Sequence, residues 1–226
     1  MSKDKNNNQK ESFGEVEQVL TKTEQFIESH LKTILYVIGG IVVVVLAFVG
    51  IKKFVASPRS AESQEQIFTA QNYFSKDSFD LALNGDGNSL GFLDIIDEYG
   101  STKAGKLSKY YAGICFLHLG EYNNAIDYLK KFKTDDMLLA PLAKSAIGDA
   151  YVELNQLNKA ISAYKDALSI SENEFTTPTI TIKLALALEA DGNKDEAISV
   201  LEKIKNKYPN NTETMTIEKN IARLKQ

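Results

Sequence analysis

Few side chains in this 226-residue chain have the types and spacing that chemistry requires. It has two histidines, His30 and His118, and a single cysteine, Cys115, which gives no basis for a zinc cluster or a Cys–His nucleophile pair. No glycine-rich phosphate loop, no Gly-x-Ser-x-Gly elbow and no His-Glu-x-x-His helix occurs. The oxygen-rich run Asn84-Gly85-Asp86-Gly87-Asn88 invites comparison with a calcium loop. In EF-hand register it puts Ser89 where the glycine is required and Ile95 where the bidentate glutamate is required, so it reads as a turn. Asp94, Asp97 and Glu98 share the polar side of a helix and read as solvated surface. His30 and Cys115 sit within apolar patterns and read as packing residues. The expectation is a non-enzyme with no catalytic, metal-binding or cofactor-binding residue and no small-molecule substrate.

What the chain does carry is a phrase repeated three times between Lys106 and Asn211. A small residue (Gly113, Gly148, Ala185) is followed three places on by an aromatic residue or Leu (Phe116, Tyr151, Leu188) and twelve places on by Ala (Ala125, Ala160, Ala197). Each Ala is followed by Ile (Ile126, Ile161, Ile198), and four places after each Ala stands Leu129, Tyr164 or Leu201. Steps of 35 and 37 residues between copies mark a helical solenoid. The small residue suits a site where two antiparallel helices cross closely, and the large one a turn on fills the space beside it. Leu119-Gly120, Leu154-Asn155 and Asp191-Gly192 close the first helix of each hairpin with a residue that tolerates positive φ. The pattern resembles the tetratricopeptide repeat (TPR), W-x2-L-G-x2-Y…A-x3-F…P, over 106–139, 141–174 and 178–211. Its Trp slot holds Lys109, Lys144 and Thr181 here, and its closing Pro appears once, as Pro209.

Composition agrees. With 43% hydrophobic and 25% charged residues the chain can fill one ordinary core and still supply an anchor. A net charge of −4 with both signs interspersed leaves no basic stripe for nucleic acid. Cys115, being alone, excludes an intramolecular disulfide. The stretch from Ile34 to Ile51 is free of charge and bracketed by Lys32 and Lys52-Lys53. Eighteen residues at about 1.5 Å each give roughly 27 Å of helix, close to a bilayer core of about 30 Å. It exceeds a signal-peptide core and follows more than thirty residues richer in acids than bases, so it reads as an uncleaved single-span anchor. Lys22 and Lys32 before the span, against Lys52, Lys53 and Arg59 after it, leave its orientation open. The predicted fold class is therefore all-α: a single N-terminal transmembrane helix (34–51) followed by a TPR α-solenoid.

The flanking segments complete the plan. Residues 1–10 read as a disordered tail. Over 11–33, Phe13, Val16, Leu20 and Ile27 form one apolar stripe opposite a mostly acidic face. That predicts an amphipathic helix whose stripe contacts a protein partner, the alternative being a helix lying on the membrane surface; the first is favoured because a helix seeking anionic lipid would have a basic face. Residues 57–105 read as a degenerate first repeat with a lengthened turn over 75–90. Residues 212–226 read as a capping helix with Met215 or Ile217, Ile221 and Leu224 inward. The expected binding surface is the concave face lined by the first helix of each repeat. Tyr110, Ile114, Asp149, Val152 and Ile182 are its candidate contacts for an extended peptide or partner helix, with Leu186 and Glu189 nearby; the alternative is that Leu107, Ile114, Leu186 and similar positions pack against a neighbouring repeat.

The order of parts resembles the ancillary SecYEG translocon subunit (YfgM-type) family, with its short amino-terminal segment, one span and tetratricopeptide domain. The stretch DEYGSTKAGKLSKYYAG (Asp97–Gly113) is similar to that family's approach to its second repeat. LALNGDG and GFLDIIDEYG resemble the version found in Bacteroidota-type bacteria. The resemblance implies a single-pass protein of the bacterial inner membrane, with a cytoplasmic amino terminus and periplasmic repeats. It further implies association with the SecYEG translocon and membrane-anchored periplasmic chaperones, in service of exported proteins. The alternative is an envelope assembly scaffold that handles no unfolded chain.

Overall fold

Helix ends fix where the chain reverses, and the reversals fix the hairpins. The computed structural model describes residues 29–33, 35–50, 53 and 57–226, and no strand occurs among them. The tail 1–10 and the stripe of Phe13, Val16, Leu20 and Ile27 lie outside the described residues. The chain divides into two units, Met1–Ser57 and Pro58–Gln226. In the first, α1 (Ser29–Gly50) has 22 residues, none of its apolar window buried. At about 1.5 Å per residue it is about 33 Å long, enough to cross a bilayer core, which makes it a candidate membrane span.

The second unit runs α2 (Ser57–Ser75), α3 (Phe79–Asn84), α4 (Phe92–Tyr99), α5 (Lys103–His118), α6 (Tyr122–Lys131), α7 (Leu139–Glu153), α8 (Leu157–Ile170), α9 (Thr177–Ala190), α10 (Lys194–Lys207) and α11 (Thr214–Leu224). Helices α5, α7 and α9 end alike. The N–H groups of Glu121, Gln156 and Asn193 donate to the carbonyls of Phe116, Tyr151 and Leu188, each at 2.8 Å. The reversal passes through Gly120, Asn155 and Gly192, whose φ values are 79°, 56° and 87°. These are the turn residues expected from the sequence.

Helix α2 ends in the same way, which the sequence reading did not anticipate. Ser78 N–H donates to the Tyr73 carbonyl at 3.0 Å, across Asp77 at φ 56°. Counted from that turn, Ala70, Tyr73, Ala82 and Leu83 stand at the spacing of Gly113, Phe116, Ala125 and Ile126. Ala70 and Ala82 are fully buried. The turn of this first hairpin is therefore short, and the long turn expected over 75–90 is absent. The extra residues instead interrupt the second helix, between α3 and α4. Asp86 organises the interruption: its carboxylate accepts from Tyr73 Oη (2.7 Å) and from the N–H groups of Asn88 (2.9 Å) and Ser89 (2.7 Å). The Tyr73 hydroxyl first, then those backbone donors, hold it below the usual carboxylate range. A Cβ on Gly91 would lie 2.3 Å from the Leu83 carbonyl oxygen, so only glycine fits where the chain folds back into α4.

Between hairpins the loops share another device. Asp136 Oδ1 accepts from Leu138 and Leu139 N–H, Asn173 Oδ1 from Phe175 and Thr176 N–H, and Asn211 Oδ1 from Glu213 N–H. Each launches the next helix by satisfying donors that have no partner of their own. The two asparagines also donate backwards, Asn173 Nδ2 to the Met137 carbonyl (3.4 Å) and Asn211 Nδ2 to the Glu174 carbonyl (2.8 Å). Successive loops are thereby tied side by side.

The core runs along the stack from Ile67 to Leu224, with Tyr151 packed against both halves. Its narrowest points are the helix crossings. A Cβ on Gly113 would lie 2.5 Å from Leu129 Cγ, and one on Gly148 2.5 Å from Tyr164 Cε1. The third repeat pairs Ala185 with Leu201, both buried. Helix α11 covers the open end with Ile217, Ile221 and Leu224, all buried, while Met215 points outward at 81% exposure.

The crossings carry a prediction. Gly148→Ala forces a methyl into the Tyr164 ring at an overpacking cost of about 1–3 kcal/mol, against a helix-propensity gain of about 0.5–1 kcal/mol. The urea midpoint of unfolding falls. Made together with Tyr164→Leu, which recreates the Ala–Leu pairing of the third repeat, the same substitution no longer adds to the loss.

Candidate protein-binding face

On the first-helix face, one acidic side chain joins three helices. Gly148 leaves room for the Tyr164 ring, so the ring crosses from α8 to α7 and its hydroxyl donates to Asp149 Oδ1 at 2.7 Å. The other carboxylate oxygen accepts from Lys183 Nζ of α9 at 2.6 Å. Burial, then the Asp149 charge beside it, pushes the Tyr164 hydroxyl well above the ordinary tyrosine range, so it stays a donor. Asp149, proposed from the sequence as a free contact, is thus committed to holding repeats together.

The Asp149–Lys183 pair spans 34 residues, and Arg223 of α11 binds Glu189 of α9 across the same interval. That interval sets the register between adjacent first helices. One helical turn beyond Asp149 and Lys183 stand Val152 and Leu186, and the same register places them opposite each other. Val152 is 37% exposed and Leu186 45%. An apolar step therefore lies between two ion pairs whose charges already cancel.

The other sequence candidates fall elsewhere. Tyr110 is half-buried, its ring against Phe132 at 5.5 Å and Tyr111 at 5.7 Å. Ile114 is half-buried on the core, and Ile182 is buried within it. Of the five, Val152 is the exposed apolar side chain, Tyr110 and Ile114 keeping only part of their surface, and Leu186 is the exposed residue opposite it in register. Lys183, Arg223 and Phe68 (71% exposed, on α2) were not singled out from the sequence. The recurrence of an acid and a base 34 places apart was the signal available for the first two.

Groups with nominal reactivity are occupied. Cys115 is fully buried, and burial pushes its thiol up to about 12. The His118 ring stacks on Phe79 with centroids 4.1 Å apart. Asp94 caps its own helix by accepting from Gly91 N–H at 3.2 Å.

The hairpin geometry, its closing turns and its tight crossings define an α-solenoid of tetratricopeptide type. Three segments match models described as tetratricopeptide repeat, two (108–136 and 182–211) one model and the third (143–174) another. Among solved structures, the putative kinesin light chain TPR-like repeats of Podosopora anserina superpose with a TM-score of 0.59 at 13% identity, over 73% of this chain and 86% of that one. A single-substitution form of the same repeats gives the same score over 85% of its chain. MamA protein superposes with a TM-score of 0.54 at 19% identity, over 74% of this chain and 80% of its own. At these identities the likeness is one of fold. No curated protein sequence matches the chain. The repeat domain is a TPR solenoid.

Two predictions concern the polar clasp. Asp149→Ala strands the Tyr164 hydroxyl and the Lys183 ammonium at a cost of roughly 1–3 kcal/mol, read as a lower thermal midpoint, whereas Val152→Ala leaves that midpoint nearly unchanged. The hydrogen bond from Arg223 holds Glu189 below its ordinary range. Its folded pKa is depressed, so the stabilisation is present above the unfolded value of about 4.3 and is lost as pH falls through the folded one. In thermal melts taken from about pH 5 to about pH 3, Glu189→Gln shows a shallower loss of stability than the unmodified chain.

Proposed function

We propose that this chain is a membrane-anchored interaction module whose concave face takes up segments of other proteins. The observation that carries the reading is the Val152–Leu186 step, apolar surface left in water between ion pairs that satisfy one another. An apolar partner segment removes that surface from water without having to break a charge pair. Solenoid faces of this kind bind extended chains or single helices, and α1 has the length and composition of a span that would hold the module at a bilayer.

The order of parts and the stretches Asp97–Gly113, LALNGDG and GFLDIIDEYG support a finer assignment. In it the protein sits in a bacterial inner membrane with periplasmic repeats, next to the SecYEG translocon and membrane-anchored chaperones, and assists exported proteins. No cofactor, metal or nucleic acid enters this function, and no enzymatic step is part of it.

Photo-crosslinkers at positions 152 and 186 in intact cells test the assignment. Recovery of many different exported chains, reduced by Leu186→Glu, is the expected result. A single stoichiometric folded partner would instead identify an envelope assembly scaffold. Protease added to spheroplasts is expected to digest the repeat domain before the membrane is opened; protection until lysis would place the domain in the cytoplasm and remove the periplasmic role.

A further inference from the structure

The two edges of the solenoid differ in what they show to solvent. On one edge lie the turns within hairpins, built on Asp77, Gly120, Asn155 and Gly192. On the other lie the loops between hairpins, and from α6 onward each loop, or the first turn of the helix it leads into, exposes a large apolar side chain. Met137 is 66% exposed with Leu138 beside it at 43%, Phe175 is 73% exposed, and Met215 is 81% exposed. The bonds from Asn173 to the Met137 carbonyl and from Asn211 to the Glu174 carbonyl hold these loops side by side, so the exposed residues form a row. Across the solenoid, Leu119 is the large apolar residue shown by the hairpin turns, at 40%.

The chain enters the solenoid on the edge that carries the row. The amino end of α2 abuts the carboxyl end of α4: the Arg59 guanidinium lies over the Tyr99 ring at 5.8 Å and donates to the Glu98 carbonyl. Since α4 leads directly into the first loop between hairpins, α2 begins at that edge. Only six residues, 51–56, separate its start at Ser57 from the end of α1 at Gly50. Fully extended they reach about 20 Å. With α1 in a bilayer, a lipid surface is the apolar phase always within reach of this edge, at the high effective concentration a short tether imposes. Charge does not assist the contact: Glu172 neutralises Lys207 beside the row at 2.6 Å, and the exposed carboxylates of Asp135, Asp136 and Glu174 flank it and stay on the water side.

We propose that Met137, Leu138, Phe175 and Met215 rest in the interfacial layer of the membrane that holds α1. The inference rests on α1 being a membrane anchor and is independent of what the concave face binds. The driving force is apolar burial, so the contact survives high salt and forms on uncharged lipid.

The chain contains no Trp, so Phe175→Trp, Met215→Trp and Leu119→Trp each supply a sole indole. Full-length protein is reconstituted into phosphatidylcholine vesicles with plain or acyl-brominated lipid. The first two indoles are expected to emit to the blue and to be quenched by bromine severalfold more than the third, at low and high salt alike. Equal quenching of all three, or none, overturns the proposal. A blue shift without bromine quenching also overturns it, by showing that protein, including a second copy of this chain, covers the row. Failure of the chain to float with the vesicles removes the anchor and the proposal together, whereas flotation without quenching removes the proposal alone.

Discussion

Each hairpin depends on how closely its two helices approach, and in the two middle hairpins that distance is set by one missing methyl group. At Gly148 the Tyr164 ring occupies the space a Cβ would take. Because the ring sits there, its hydroxyl reaches the next residue along, Asp149, and Asp149 in turn reaches Lys183 on the following hairpin. A backbone fact inside one repeat is converted into a polar contact between two. Interior packing tolerates little slack, so a change of one methyl at this point is felt in the register of the neighbour.

Other features of the second unit act over similarly short range. The reversals at Asp77, Gly120, Asn155 and Gly192 close single hairpins. The Asn173 and Asn211 amides couple consecutive loops, and the ion pairs of Lys183 and Arg223 couple consecutive first helices. Stability in such a stack approximates a sum over units and their shared interfaces. Helix α11 belongs to this scheme: its Arg223 meets Glu189 as a side chain from the first helix of another hairpin would.

The repeat was legible in the sequence because its markers are volume and φ, which residue type reports directly. Gly113, Gly148, Asn155 and Gly192 could be assigned on sight. The first hairpin was misjudged because Asp77 takes a positive φ without being Gly, and the conspicuous Asn84–Asn88 run drew the turn away from it. Ala70 and Ala82, twelve apart, were the signal that located it. The binding face was only partly legible. Helical spacing puts Tyr110, Val152 and Ile182 on the first helices of their repeats but cannot distinguish a residue that packs on Phe132 or the core from one that meets water. Asp149 was recognised as unusual, yet its partners lie 15 and 34 residues away, beyond the reach of local pattern.

The interruption between α3 and α4 has a different consequence. It lengthens one unit by eight residues relative to the step from Gly113 to Gly148, since Ala70 and Gly113 lie 43 apart rather than 35. Yet Asp77, Ala70 and Ala82 keep their places, so the added residues are absorbed outside the crossing. The hairpin geometry therefore accepts a short added stretch in a second helix, and the kinesin light chain repeats and MamA share the fold at 13–19% identity. Such an architecture asks for the right side-chain volume at a handful of positions and leaves its spacers elastic.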